Sequence, residues 1–112
     1  MNVDFSLKIQ QKNKKMYYAV IFTSERTNID EGYSEMADKM ETLAKEQDGF
    51  LGVESARNDI GITVSYWKDL ESIKKWKQNM EHLVAQEKGR SDWYKSYTTR
   101  ICLVEREYSF KK

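Results

Sequence analysis

The sequence predicts an α+β domain with the element order β-α-β-β-α-β. This is the ferredoxin-like arrangement, a four-stranded antiparallel sheet with both helices on one face. Three observations predict it. Four runs are rich in β-branched and aromatic residues with the alternation of strands, and two runs carry apolar residues at helical spacing. Between them stand turn and capping residues, with no repeat, low-complexity segment or linker.

Residues 1–15 carry four lysines against Asp4, and Val3, Phe5, Leu7 and Ile9 alternate with polar residues. They form an N-terminal extension, either an arm or edge strand or a disordered lead-in. The first core strand spans 16–25 (MYYAVIFTSE). Tyr18, Val20 and Phe22 fall on one side of it, and Tyr17, Ala19 and Ile21 on the other, so both faces need a cover. Asp30 is placed to cap a helix bearing Tyr33, Met36, Ala37, Met40, Leu43 and Ala44 on one stripe, closed by Asp48-Gly49. Residues 50–57 and 60–67 read as a hairpin turning at Asn58-Asp59. Asp69 caps a second helix with Leu70, Ile73, Trp76, Met80, Leu83 and Val84 on its stripe, and Gly89 ends it. Residues 91–97 (SDWYKSY) read as a short helical turn and 98–110 as the last strand. Gln78-Asn79 offers a break within the second helix, with Asn79 as a new cap.

Two helices cover one sheet face only. The third strand adds Ile62, Val64 and Tyr66 to the apolar second face, so a second copy is expected to cover it in an isologous homodimer.

Composition bounds the function. The 112 residues are 39% hydrophobic and 33% charged, with net charge +1, one Cys and no Pro. One domain of this length can own a core. A nucleic-acid partner would call for a basic excess that is missing. One cysteine makes no internal disulfide. Mean hydropathy is −0.82, with no apolar run long enough for a membrane span. Residues 1–15 do not read as a signal peptide, so a soluble cytoplasmic domain is expected.

The second face of strand three is the informative one: Gly61, Thr63, Ser65, Trp67. Three small residues facing helices leave a cavity with two hydroxyls and an indole, unless Trp76, Trp93 or Tyr97 fills the gap as ordinary core.

Residues 16–110 resemble the antibiotic biosynthesis monooxygenase (ABM) family of small dimeric α+β barrels. The resemblance is carried by YYAVIFTSERT (17–27), GFLGVESAR (49–57), GITVSYWKD (61–69), IKKWK (73–77), EHLVAQEKGR (81–90), WYKSY (93–97) and VEREYSF (104–110). It implies a homodimer with a ligand between sheet and helices, Trp67 shaping the site at the end of strand three, and one of two chemistries. The first is cofactor-independent oxidation of small aromatic substrates by O2. The second is haem binding and degradation. The haem-degrading relatives have an Asn on strand one and an iron-ligating His on the second helix. Here strand one reads Phe22-Thr23-Ser24, and the His position falls near Gln86, one turn after His82.

His82 is the only histidine, a general base if the helix breaks at Asn79 and a surface residue if it does not. The expected site is therefore Trp67 and His82 as catalytic candidates, with Thr63, Ser65, Trp76, Arg90, Trp93 and Tyr97 around the substrate. Arg90 takes an anionic group or pairs with Glu105 or Glu107. Cys102 reads as a small buried hydrophobe. No metal-ligand cluster or phosphate-cradling glycine loop occurs, so no metal or cofactor is expected. The competing readings are a non-catalytic module that sequesters a small hydrophobic molecule in a stress response, and a structural dimer with a filled core.

Overall fold

A computed structural model describes residues 16–86 and 91–112. Strand β1 (Tyr17–Arg26) leads to helix α1 (Tyr33–Glu46), the hairpin β2 (Phe50–Arg57) and β3 (Gly61–Trp67), helix α2 (Leu70–Gln86), a single 3-10 turn (Ser91–Trp93) and strand β4 (Tyr94–Val104). The strands form one antiparallel sheet in the order β2-β3-β1-β4. The expected ferredoxin-like order is therefore the observed one. Residues 1–15, expected to form an N-terminal extension, together with Gly89 and Arg90, lie outside the described residues.

Four rows of side chains cross the helix side of β3, β1 and β4. They run Trp67, Tyr18, Leu103; then Ser65, Val20, Ile101; then Thr63, Phe22, Thr99; then Gly61, Ser24, Tyr97. The core is concentrated at the Trp67 end. Val20, Ala44, Trp67 and Ile73 are buried together, with Tyr18, Phe50 and Trp76 against them. Trp67 is 0% exposed. Its ring lies 5.1 Å from that of Trp76 and meets Phe50 edge-on at 5.5 Å. Helix α1 packs on β2, and α2 on β3 and α1, so the helical layer sits off-centre. Exposure rises accordingly on the helix side of β4, to 63% at Tyr97, 51% at Ile101 and 47% at Leu103.

The turn into β2 depends on Gly49, at φ 92°. A Cβ there would run into the Ser72 side chain at the start of α2, so glycine lets the two segments touch. Asp69 caps α2 as expected, accepting from the Ser72 amide at 2.8 Å. Hydrogen bonding from the Ser72 side chain and then its amide lowers the Asp69 pKa.

Four local expectations are corrected. Gly32, not Asp30, is the N-cap of α1, because the Asp30 carboxylate is held by Arg26 at 2.9 Å. Helix α2 runs unbroken through Gln78-Asn79, and the Asn79 amide donates to Gln47 Oε1 at 3.1 Å instead of capping. Strand β4 begins at Tyr94, four residues early. A register shift pairs Arg26 with Tyr94 and Glu25 with Ser96, so Tyr94 and Tyr97 share a face despite a spacing of three, which mimics a helical period. The strand also stops at Val104, whose partner is Tyr17 at the start of β1; residues 105–110 do not continue it.

The other sheet face carries Ala19, Ile21, Ile62, Val64 and Cys102, as the alternation requires. Tyr17 and Tyr66 meet there at 6.0 Å. Tyr17 donates to Glu107, and Tyr66 to Glu54 at 2.7 Å. Hydrogen bonding to Glu107, with burial second, pushes the Tyr17 pKa up to about 12. Among the described residues, no helix is long and apolar enough to cross a membrane.

Two outcomes are expected. Trp67→Ala should cost about 3–5 kcal/mol in denaturant unfolding, since it empties a fully enclosed site. The Asp69 pKa is lower folded than unfolded. Its contribution is therefore complete above the ordinary carboxylate range and lost as pH falls through the folded value. Asp69→Asn should remove that component from a stability profile measured between neutral and acid pH.

Candidate functional site

The small-residue face of β3 points at the helices, and the protein fills most of the space itself. The Trp67 indole folds back along its own strand, and its Nε1 donates to the buried Ser65 Oγ at 2.9 Å. Trp76 of α2 tilts over it. Thr63 is half-buried beside Phe22. At the far end, the Arg57 guanidinium lies across Gly61, where a Cβ would coincide with it. Its Nη2 donates to Ser24 Oγ at 2.6 Å.

Uncovered space among the described residues lies to the other side, over β4 and along its border with β1. Phe22, Tyr94 and Tyr97 form a ring cluster there. Phe22 is 5.7 Å from Tyr94 and 5.4 Å from Tyr97, and the two tyrosines are 5.7 Å apart. Tyr33, at the start of α1, reaches over to Tyr94 at 6.0 Å and Trp93 at 5.7 Å. Trp93 is buried, and its Nε1 donates to Glu31 O at 2.8 Å. The Arg26 guanidinium stacks 3.4 Å above the Tyr33 ring while it holds Asp30. Beyond Thr99 on the same face of β4, the exposed apolar side chains of Ile101 and Leu103 continue from this cluster.

The electrostatics are those of a donor-rich end. Burial first, and hydrogen bonding to Tyr33 second, raise the Tyr94 pKa well above its ordinary value, against the pull of Arg57 and Arg26. Tyr94 thus stays protonated and serves as a donor or an aromatic wall, not as a base. Arg26 Nε is buried, with no acceptor among the described residues.

The sequence-derived candidates fall into three places. Trp67, Ser65, Trp76 and Thr63 gather under the helices, with Trp67 fully enclosed. Tyr97 and Trp93 belong to the aromatic cluster. His82 is exposed and lines an open groove of about 470 Å³ between α1 and α2, with Asp38, Leu43, Asn79 and Leu83 among its neighbours. It follows from the unbroken helix that His82 is turned away from the sheet. Arg90 lies outside the described residues. Cys102 is half-buried on the opposite sheet face. Among the described residues no group of His, Cys, Asp or Glu is placed to hold a metal ion.

Sequence reasoning passed over Arg26, Arg57, Tyr33 and Ser24 as site residues, and Phe22 and Ile101 as ligand-facing ones. One signal was available. A glycine within a strand marks a close approach, and Gly61 sits opposite Arg57 across a short hairpin.

Comparison with known proteins gives the family and the fold. The sequence pattern of the Monooxygenase af470-like family matches residues 11–102. The uncharacterized protein YqjZ of Bacillus subtilis strain 168 is 50% identical over 98 residues, covering 86% of each chain. Among solved structures, a variant of MhuD with two manganese protoporphyrin IX molecules bound per active site superposes with a TM-score of 0.62 at 13% identity, covering 83% of this chain and 99% of that one. A variant of SnoaB, a cofactor-independent oxygenase from Streptomyces nogalater, superposes with a TM-score of 0.57 at 10% identity, covering 88% and 99%. At these identities the structural likeness is one of fold.

Proposed function

The chain belongs to the Monooxygenase af470-like family, and on that premise we propose that it is a cytoplasmic, cofactor-independent monooxygenase whose small aromatic substrate lies on the helix side of β1 and β4. One observation carries the reading. Tyr97, Ile101 and Leu103 point to the helix side of the sheet, yet they stay about half exposed or more because the helices sit over β2 and β3. Water contact with such a strip is costly, and a flat aromatic ligand relieves it.

The chemistry asked of the protein is modest. An electron-rich ring CH2 is converted to C=O: one atom of O2 joins the carbon, and the other leaves as water with the two hydrogens. The substrate supplies the electrons. The chain supplies a dry, oriented surface. Phe22 and Tyr97 flank the ring system, and Tyr94, kept protonated and hydrogen-bonded to Tyr33, forms a fixed wall beside them. Trp67 and Trp76 act from beneath as positioning residues that seat α2. His82, on the outer groove, takes no part, and haem ligation is the weaker reading for the same reason.

Sequestration of a hydrophobic molecule without turnover is the second reading. It is favoured by the raised Tyr94 pKa, which takes Tyr94 out of use as a base. Oxygen uptake with a panel of anthrones and quinols separates the two. Turnover is expected, with kcat/KM falling at least about tenfold in Ile101→Asp, a loss of roughly 1.4 kcal/mol. Saturable binding of the same compounds with no oxygen consumed would leave only sequestration.

The reading includes a homodimer through the second sheet face. Ile62 is 44% exposed there beside Val64 and Ile21, the kind of surface an isologous contact covers. Sedimentation should give twice the chain mass at micromolar concentration and a single chain mass for Ile62→Asp. A monomeric wild type would end the dimer reading.

A further inference from the structure

We propose that the substrate or ligand of this site bears a carboxylate on its aromatic ring system, and that Arg57 is the residue that selects it. The inference rests on the helix side of β1 and β4 being the ligand face.

The argument starts from the two guanidinium groups at that end of the sheet. Arg26 is already neutralised. It holds Asp30 Oδ1 and Ile29 O, each at 2.9 Å, and lies on the Tyr33 ring. Arg57 is different. It spends one N–H on Ser24 Oγ and has no carboxylate partner among the described residues. The surrounding side chains do not supply that charge: the Tyr94 and Tyr33 hydroxyls bond each other, and the buried Arg26 Nε meets no acceptor among the described residues. Such a cluster is short of negative charge.

Its position is also specific. A long flexible arginine at the end of an exposed strand usually extends into water. This one is laid flat along the sheet, over the single position in its row that lacks a side chain. Gly61 provides the berth and Ser24 fixes the far end. The next residue across the sheet from Ser24 is Tyr97, and Phe22 is one step along β1. Adjacent strands are about 4.8 Å apart, and residues two apart on a strand about 6.6 Å. A carboxylate taken bidentately by the free edge of the Arg57 fork therefore carries its ring onto Phe22 and Tyr97. The strip from Tyr97 to Leu103 then accepts the remainder of a fused aromatic system.

The test titrates 2-naphthoate and its neutral analogue 2-naphthalenemethanol into the full chain by calorimetry, at low and high salt. Naphthoate should bind at least about fivefold more tightly at low salt, the excess shrinking as salt rises. Arg57→Gln should bring the two ligands to equal affinity. Gly61→Ala should do the same, because its Cβ takes the guanidinium's place while Arg57 itself is retained. Both substitutions act on an exposed arginine or its berth, so melting temperatures near wild type are expected and are measured alongside. Equal affinity for the two ligands in the wild type, or a naphthoate preference that survives in Arg57→Gln, overturns the carboxylate assignment and leaves the ligand face intact. Failure of both compounds to bind overturns the ligand face as well as the assignment.

Discussion

The architecture turns on one enclosed side chain. Trp67 closes the end of β3, and its neighbours decide where the helices sit: Trp76 and Ile73 come from α2, Ala44 from α1, and Phe50 from β2. Two helices packed side by side are about as wide as four strands. A centred pair would cover this sheet. Anchored at Trp67, the pair sits toward β2 and β3 instead, and the shortfall appears in full over β4. The open strip is thus the geometric remainder of a core built at one edge.

Much of this was legible in the sequence, and the failures have physical causes. Strand and helix order followed from periodicity, because burying one face imposes a period of 2 or 3.6 whatever the tertiary detail. The hairpin at Asn58-Asp59 and the Asp69 cap followed from local chemistry. The break expected at Asn79 failed because its side chain found Gln47 on the other helix, a contact no local rule contains. Asp30 failed as a cap for the same kind of reason, with Arg26 as the competitor. Tyr94 was misread because a bulge gives a strand the spacing of a helix.

The candidate site was legible only in part. The small-residue face of β3 was correctly placed under the helices. What occupies it could not be read, because the indole of Trp67 turns back onto Ser65 two residues earlier. That fold-back converts an apparent cavity into packed core, and only a rotamer distinguishes the two. The open strip was invisible for a related reason. Ile101 and Leu103 look like any core residues of a last strand, and their exposure depends on a lateral offset of the helices.

Gly61 carries a consequence for the comparison of related chains. A side chain at this position and a guanidinium lying across it are mutually exclusive, since both would occupy the same volume. The pair Arg57 and Gly61 is therefore a two-letter fingerprint, readable from any aligned sequence without a structure. A relative with Ala or Val at the second position must send its arginine elsewhere or dispense with it. Sorting relatives by that pair would divide them by where the arginine can lie, along a line that overall identity need not follow.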